Sequence, residues 1–243
     1  MFVLLYVFFF VVSLFFLRLI IQKITAHPMT VEIRSIGEGA TFVQVGAQVS
    51  SRLWGGGDPL WRCIQRDKWK GLLVEPNPSA MKRLRRKYRK RSDIFFEECA
   101  VVKNKEGDTA PFYTTRFPLS WFDPCPSSSL SRAHFKKRTW YSDKMVTIEV
   151  KVKTLTELLN AYRDKFSHID LLVLDIEGLE SCIICSTDWN ELNEIKPKYI
   201  LYEYFHHSSA EQKEMLKTLL SCGYIYIARI IHKKGSFPIQ VIV

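Results

Sequence analysis

The sequence lacks the cysteine density of a disulfide scaffold. Its six cysteines, Cys63, Cys99, Cys125, Cys182, Cys185 and Cys222, are scattered, and most lie in apolar runs, where cysteine is a small buried hydrophobe. Cys182 and Cys185 have redox or zinc spacing, but no second pair or histidine partner accompanies them, so no metal site is expected. No GxxxxGK[ST] stretch occurs, which disfavours a nucleoside triphosphate site. No glycosylation sequon occurs either, because Asn77-Pro78-Ser79 carries proline at its middle position. The Asn/Asp-Pro-Pro-aromatic run of amino-group methylation is missing, as are RNA-reading signatures, which makes nucleic acid an unfavoured partner. The net charge of +10 is not spread along the chain. Eight of the ten residues from Lys82 to Arg91 are Lys or Arg, and the remainder is nearly balanced.

What the sequence does have begins with a long apolar run. Phe2 to Leu17 is interrupted only by Ser13, and Leu19-Ile20-Ile21 extends it past Arg18. About twenty residues at roughly 1.5 Å each span a hydrocarbon core, so residues 1–22 read as an uncleaved transmembrane anchor, with Arg18 snorkelling. A cleaved signal peptide is the competing reading, disfavoured because no Lys or Arg precedes the run. Arg18, Lys23 and Arg34 all follow it, which places the rest of the chain on the cytoplasmic side; a lumenal ER or Golgi arrangement is the alternative. Residues 23–40 then form a tether, and 41–243 a single catalytic domain.

From Thr41 the pattern alternates between strands and helices. Thr41–Gly46, Gly71–Glu75 and Ile94–Val102 read as strands, separated by helices over Pro59–Asp67 and Asn77–Arg91, the latter amphipathic through Met81, Leu84 and Tyr88. Residues 103–145 read as irregular, with Ser127-Ser128-Ser129 placed as a substrate-facing lid or a surface insert. Val146–Val152 alternates like a half-exposed strand, and Thr154-Leu-Thr-Glu157 resembles a capping box. Ile169–Asp175 is a nearly continuous apolar strand, followed by a helix over Glu177–Ser186. Lys198–Tyr204 is the next strand, Glu211–Ser221 a helix, and Gly223–Ile231 with Phe237–Val243 a terminal strand pair. The alternation implies an α/β, doubly wound, mostly parallel sheet. Ligands bind such sheets at the carboxyl ends of the strands, which here carry Gly46, Glu75 closed by Pro76, Glu97/Glu98, Asp175 and Glu203.

Glycine at Gly46 permits close backbone approach to a nucleoside, and a carboxylate at Glu75 is placed to accept both hydroxyls of a ribose. Asp175 and Glu177, two residues apart at a strand end, point to one side. There they could orient an acceptor hydroxyl and take its proton. The plainer alternative has Glu177 starting the following helix. His206 and His207, just beyond Tyr204, are candidate bases, against a structural or solvated role.

Several blocks then carry a specific resemblance. Phe42-Val-Gln-Val-Gly-Ala47, Asp58-Pro-Leu-Trp61, Trp69-Lys-Gly-Leu-Leu-Val-Glu-Pro-Asn-Pro78, Leu171-Leu-Val-Leu-Asp-Ile-Glu-Gly178 and Tyr202-Glu-Tyr204 occur in order. Together they resemble the FkbM-type methyltransferases over about residues 41–227. The resemblance implies a class I methyltransferase Rossmann-like fold, S-adenosyl-L-methionine as methyl donor, and O-methylation of a sugar, lipid or other small molecule. It assigns Gly46 and Ala47, with Gln48 beside them, to the cofactor turn and Glu75 to the ribose. It matches Asp175 and Glu177 to the family's Asp-x-Glu-Gly element. Pro76 and Glu98 complete the expected cofactor set, and Asp175, Glu177 and His206 the expected catalytic set. The sequence departs where the family continues Gly-Ala-Asn-x-Gly: it reads Gly46-Ala47-Gln48-Val49-Ser50, and the second glycine is gone. That change leaves open a second class of function, a methyltransferase-like binding or scaffold protein without turnover. The basic run Lys82–Arg91 is expected on the helix after Glu75, either as a solvated face or as a contact with anionic lipid. Nucleic acid is the least favoured of its partners.

Overall fold

The computed structural model describes residues 33, 35–48, 60–115, 128–132, 145–203, 207–230 and 239–242. The expected anchor (1–22), most of the tether, Ser50, Gly55–Gly57, Ser127, Tyr204 and His206 lie outside the described residues. Among the described residues no helix is long and apolar enough to cross a membrane.

Seven strands form one sheet. In chain order they are β1 (Thr41–Val45), β2 (Lys70–Val74), β3 (Ile94–Glu97), β8 (Leu171–Leu174), β9 (Tyr199–Glu203), β10 (Tyr226–Ile230) and β11 (Ile239–Ile242). Their spatial order is β10-β11-β9-β8-β1-β2-β3. Every neighbouring pair from β9 to β3 is parallel, while β11 runs antiparallel to both β9 and β10. All five residues of β1 and all four of β8 are buried, the composition of strands covered on both faces.

Alternate residues feed two cores. Val43, Leu72, Leu172 and Ile200 pack with Leu158 of α3 (Leu155–Asn160), Ile184 of α4 (Glu180–Ser186) and Met215 of α5 (Ser209–Ser221). Phe42, Leu73, Leu171 and Leu201 pack on the other face with Leu60 and Ile64 of α1 (Leu60–Arg66) and Met81 and Leu84 of α2 (Pro78–Lys87). Ile33, within the expected tether, is buried in this second layer. The capping box read at Thr154–Glu157 is present on α3, and Ser208 with Glu211 forms another on α5.

The segment expected to be irregular differs. β5 (Thr109–Thr115) pairs antiparallel with β7 (Met145–Lys153) and with β6 (Ser128–Ser129). Together with β4 (Ala100–Val101) they form a second sheet, in the order β4-β7-β5-β6. The single strand expected over Ile94–Val102 is therefore two strands in different sheets, broken at Glu98-Cys99. The cysteines differ as well: among those described, Cys63 and Cys99 are buried, but Cys182 and Cys185 are exposed on α4.

Candidate active site

Chain order reverses at β1, which lies between β8 and β2, so a crevice opens where the connections diverge to opposite faces. Gly46 turns the chain there at φ +84°. A Cβ at this position would sit 1.8 Å from the Asp175 carbonyl oxygen, so no other residue fits without moving the neighbouring loop. Gly46 N–H and Ala47 N–H both donate to the Val74 carbonyl at 3.0 Å, and Asp175 N–H donates to Val45 at 3.0 Å. The ends of β1, β2 and β8 are thereby laced together.

Glu75 follows β2 and is 3% exposed. Its Oε1 accepts the Asn77 N–H at 2.8 Å. Burial pushes its carboxyl up to about 7, against the lowering effect of that hydrogen bond and of the nearby Arg83 charge. Asn77 caps α2 by accepting from Ser79 and Ala80. Its side-chain nitrogen donates to Thr114 Oγ1 at 3.0 Å and to Ser128 Oγ at 3.4 Å. One asparagine thus ties the first sheet to the second.

The result is a cleft of about 460 Å³, partly open to solvent. Gly46, Gln48, Glu75, Pro76, Asp175 and Glu177 line it from the strand ends of the first sheet, with Asp175 exposed at the rim; Phe112, Ser128 and Ser129 of the second sheet, with Leu130 just after them, form its roof. Six of the expected site residues therefore meet in one place. Ala47 is buried in the core behind its neighbours, Glu98 is exposed and away from the cleft lining, and His206 is outside the described residues. Cys99 lines the cleft too, but burial, and after it the Glu97 carboxylate, pushes its thiol up to about 12, so it is a neutral wall.

Glu177 does not start a helix. It has φ +60° and precedes Gly178 at φ +95°, and α4 begins at Glu180. This loop is held by a residue the sequence reasoning missed. Glu180 is fully buried; its Oε1 accepts Ile176 N–H at 2.8 Å and its Oε2 accepts Gly178 N–H at 3.0 Å. His207 Nε2 lies 2.9 Å from the same Oε2. The signal was present in Glu177-Gly178-Leu179-Glu180: a third acid that a helix-start reading passes over. Carboxylate oxygens of Asp175, Glu180 and Glu203 come within 4.8 Å of one another, but those of Glu180 are engaged in shaping the loop.

A cleft at the switch point, a side-chain-free turn and a buried acid one strand away suit a nucleoside-bearing ligand. The comparisons with known proteins bear on which one. No curated protein sequence matches this chain. Three of the solved structures that match, all at low identity, are the following. Fibrillarin from Aeropyrum pernix with natively bound S-adenosyl-L-methionine is 12% identical, with a TM-score of 0.44, covering 86% of this chain and 68% of that one. The Methanococcus jannaschii fibrillarin pre-rRNA processing protein is 11% identical at 0.45, covering 86% and 67%. The N-methyltransferase NodS from Bradyrhizobium japonicum WM9 is 7% identical at 0.45, covering 91% and 94%. The methyltransferase FkbM domain matches residues 44–226, which include the turn, both cleft-facing strand ends and the second sheet. The chain belongs to the FkbM family of S-adenosylmethionine-dependent methyltransferases.

Proposed function

We propose that this chain methylates a hydroxyl group of a sugar, lipid or other small molecule. The observation that carries the reading is the convergence of Gly46, Glu75, Asp175 and Glu177 on one cleft. When bound, S-adenosylmethionine would supply an electrophilic sulfonium methyl for the acceptor oxygen, with S-adenosylhomocysteine as the leaving group. Glu75 would receive the ribose hydroxyls, the side-chain-free turn at Gly46 would leave room for the methionine portion, and Gln48 and Pro76 would border them. Asp175, on the rim, orients the acceptor hydroxyl and takes its proton, a role that costs little when positioning does most of the work. Glu177, presented from a strained backbone, lines the acceptor side. His206 is the other candidate base.

The catalytic unit spans 41–243, and residues 2–21 hold it to a membrane, with cytoplasmic placement following from Arg18, Lys23 and Arg34. A silent binding protein is the second reading, favoured by Ser50 at the family's second glycine. Titration of S-adenosylmethionine into the protein separates the two: binding in the micromolar range is expected for an enzyme, and no heat at millimolar donor would sink the catalytic reading. Asp175→Ala should keep donor binding and lose methyl transfer to the acceptor; unchanged transfer would remove Asp175 from the chemistry.

A further inference from the structure

The strands give the molecule two ends. The cleft occupies the carboxyl ends of β1, β2 and β8. The opposite edge, where these strands begin, holds two other features together. The first is the point at which the chain enters the domain. Trp69 Nε1–H donates to the Gly37 carbonyl at 2.7 Å, Gly39 N–H to Asp67 at 2.8 Å, and Lys70 N–H to Ala40 at 3.0 Å. Ile33, just before, is buried against the α1/α2 layer. The second is the basic end of α2, which leaves the cleft side at Asn77 and returns to this edge before β3. Arg91 is built into it, donating to the Ile64 and Trp69 carbonyls and to Asp93. Its neighbours are not. Lys82, Arg86, Arg89 and Lys90 are exposed, and among the described residues they make no hydrogen bond or ion pair.

Local structure accounts for only part of this charge. Cations in the last turn complement the helix dipole, which covers Arg85 and Arg86. Arg89 and Lys90 lie beyond the helix, and Lys82 stands before its last turn. Like charges three and four apart, Lys82 with Arg85 and Arg86, destabilise the helix itself. An anionic partner would relieve that repulsion. The apolar run at residues 2–21 ends only twelve residues before Ile33, a reach of at most about 40 Å, and the chain enters on the same layer as α2.

We infer that the edge carrying Arg86, Arg89 and Lys90 docks on an anionic lipid surface, with the cleft turned away from it. This rests on the reading of residues 2–21 as an anchor. Four-to-five-residue strands separate the two ends by about 15 Å, so headgroups of the docked bilayer do not reach the cleft. Of the acceptor classes proposed above, the orientation selects one that arrives from water, a sugar or small soluble molecule. Each cation held near an anionic surface strengthens binding roughly fivefold, and three together on the order of a hundredfold.

The test uses the full chain in lipid discs of phosphatidylcholine, with and without phosphatidylserine, read by amide hydrogen exchange. Exchange over residues 82–91 should slow about tenfold or more in the anionic discs. It should recover in roughly half-molar salt, where screening shortens to a few ångström. Residues 128–130 and 175–180 should exchange alike in both discs. The variant Arg86→Glu/Arg89→Glu/Lys90→Glu should show no lipid dependence. Equal exchange in the two discs, protection at 128–130 or 175–180, or stronger protection of 82–91 by an RNA oligonucleotide would each overturn the assignment. The salt and lipid arms on the unaltered chain decide the matter even where the variant folds poorly. S-adenosylmethionine titration in the same discs reports on catalysis separately, so loss of one reading is distinguishable from loss of the other.

Discussion

Glu75 and Glu97 end neighbouring parallel strands, and the backbone N–H of one donates to the carbonyl of the other at 3.1 Å. Their surroundings are opposite. Glu97 accepts from Lys153 Nζ at 2.9 Å and from Tyr162 Oη at 2.8 Å. Burial alone would push its carboxyl up, but these two partners outweigh that and hold it below the usual range. Glu75 is deeper, receives one backbone N–H, and is pushed up to about 7. One acid is completed by its own chain. The other accepts one hydrogen bond among the described residues and keeps capacity for more, and a ribose offers two hydroxyls. Position at a strand end is therefore not enough to name a ligand-binding acid; the difference lies in whether the protein has already spent its donors on it.

That contrast is breakable. Glu75→Gln should weaken S-adenosylmethionine binding by about a hundredfold, since a charged acceptor of two hydrogen bonds becomes a neutral acceptor of one. Calorimetric titration reads this directly, and a change under tenfold would remove Glu75 from the cofactor site.

The next effect is a pH profile. Hydroxyl donors favour the ionised carboxylate, so donor affinity should fall as pH drops below about 7, by up to roughly tenfold per unit. The same group acts oppositely on the unliganded fold. Its carboxyl is raised from an ordinary 4.5, so its contribution to stability is complete below that value. It is then lost as pH rises to about 7, by at most ~3 kcal/mol. Melting curves with and without donor, in unaltered protein and Glu75→Gln, should show the two trends cross only in the former.

The smallest effect belongs to the completed acid. Glu97→Gln should cost about 1 kcal/mol of stability, because the ion pair is half-exposed and screened, and should shift donor affinity by less than about threefold, well within one hydrogen bond. A large loss of binding in Glu97→Gln would erase the distinction drawn here.

The central sheet was legible because its signals are local: apolar runs of strand length, helical spacing between them, and acids where the runs end. Period-two parity was harder to apply. On β3, Phe95 faces one core and Ile94 and Phe96 the other, which puts Glu97, not Glu98, on the Phe95 side. Glu98 falls one residue past that strand, exposed and outside the cleft lining, because a one-residue step reverses the face a strand residue occupies. Of the second sheet only β7 was legible, from the alternation over Val146–Val152; β5 and β6 were not. β6 is two residues long, β5 has a mixed pattern of exposure, and β5 pairs with β7 across residues 109–151. Such pairing leaves no local trace. Glu180 was hidden for a related reason: its partners are backbone N–H groups of its own loop and His207, 27 residues on, and no spacing rule announces them.

Asn77 has a consequence for anyone who would rebuild this protein. Its carbonyl oxygen starts α2 while its amide nitrogen holds Thr114 and Ser128. The helix that follows the cofactor acid and the sheet that roofs the acceptor are thus not separable modules. A roof transplanted from a relative would need hydroxyls opposite position 77, or the graft would loosen the turn bearing Glu75. A change made to alter what is methylated would then register first as a change in how the methyl donor is held.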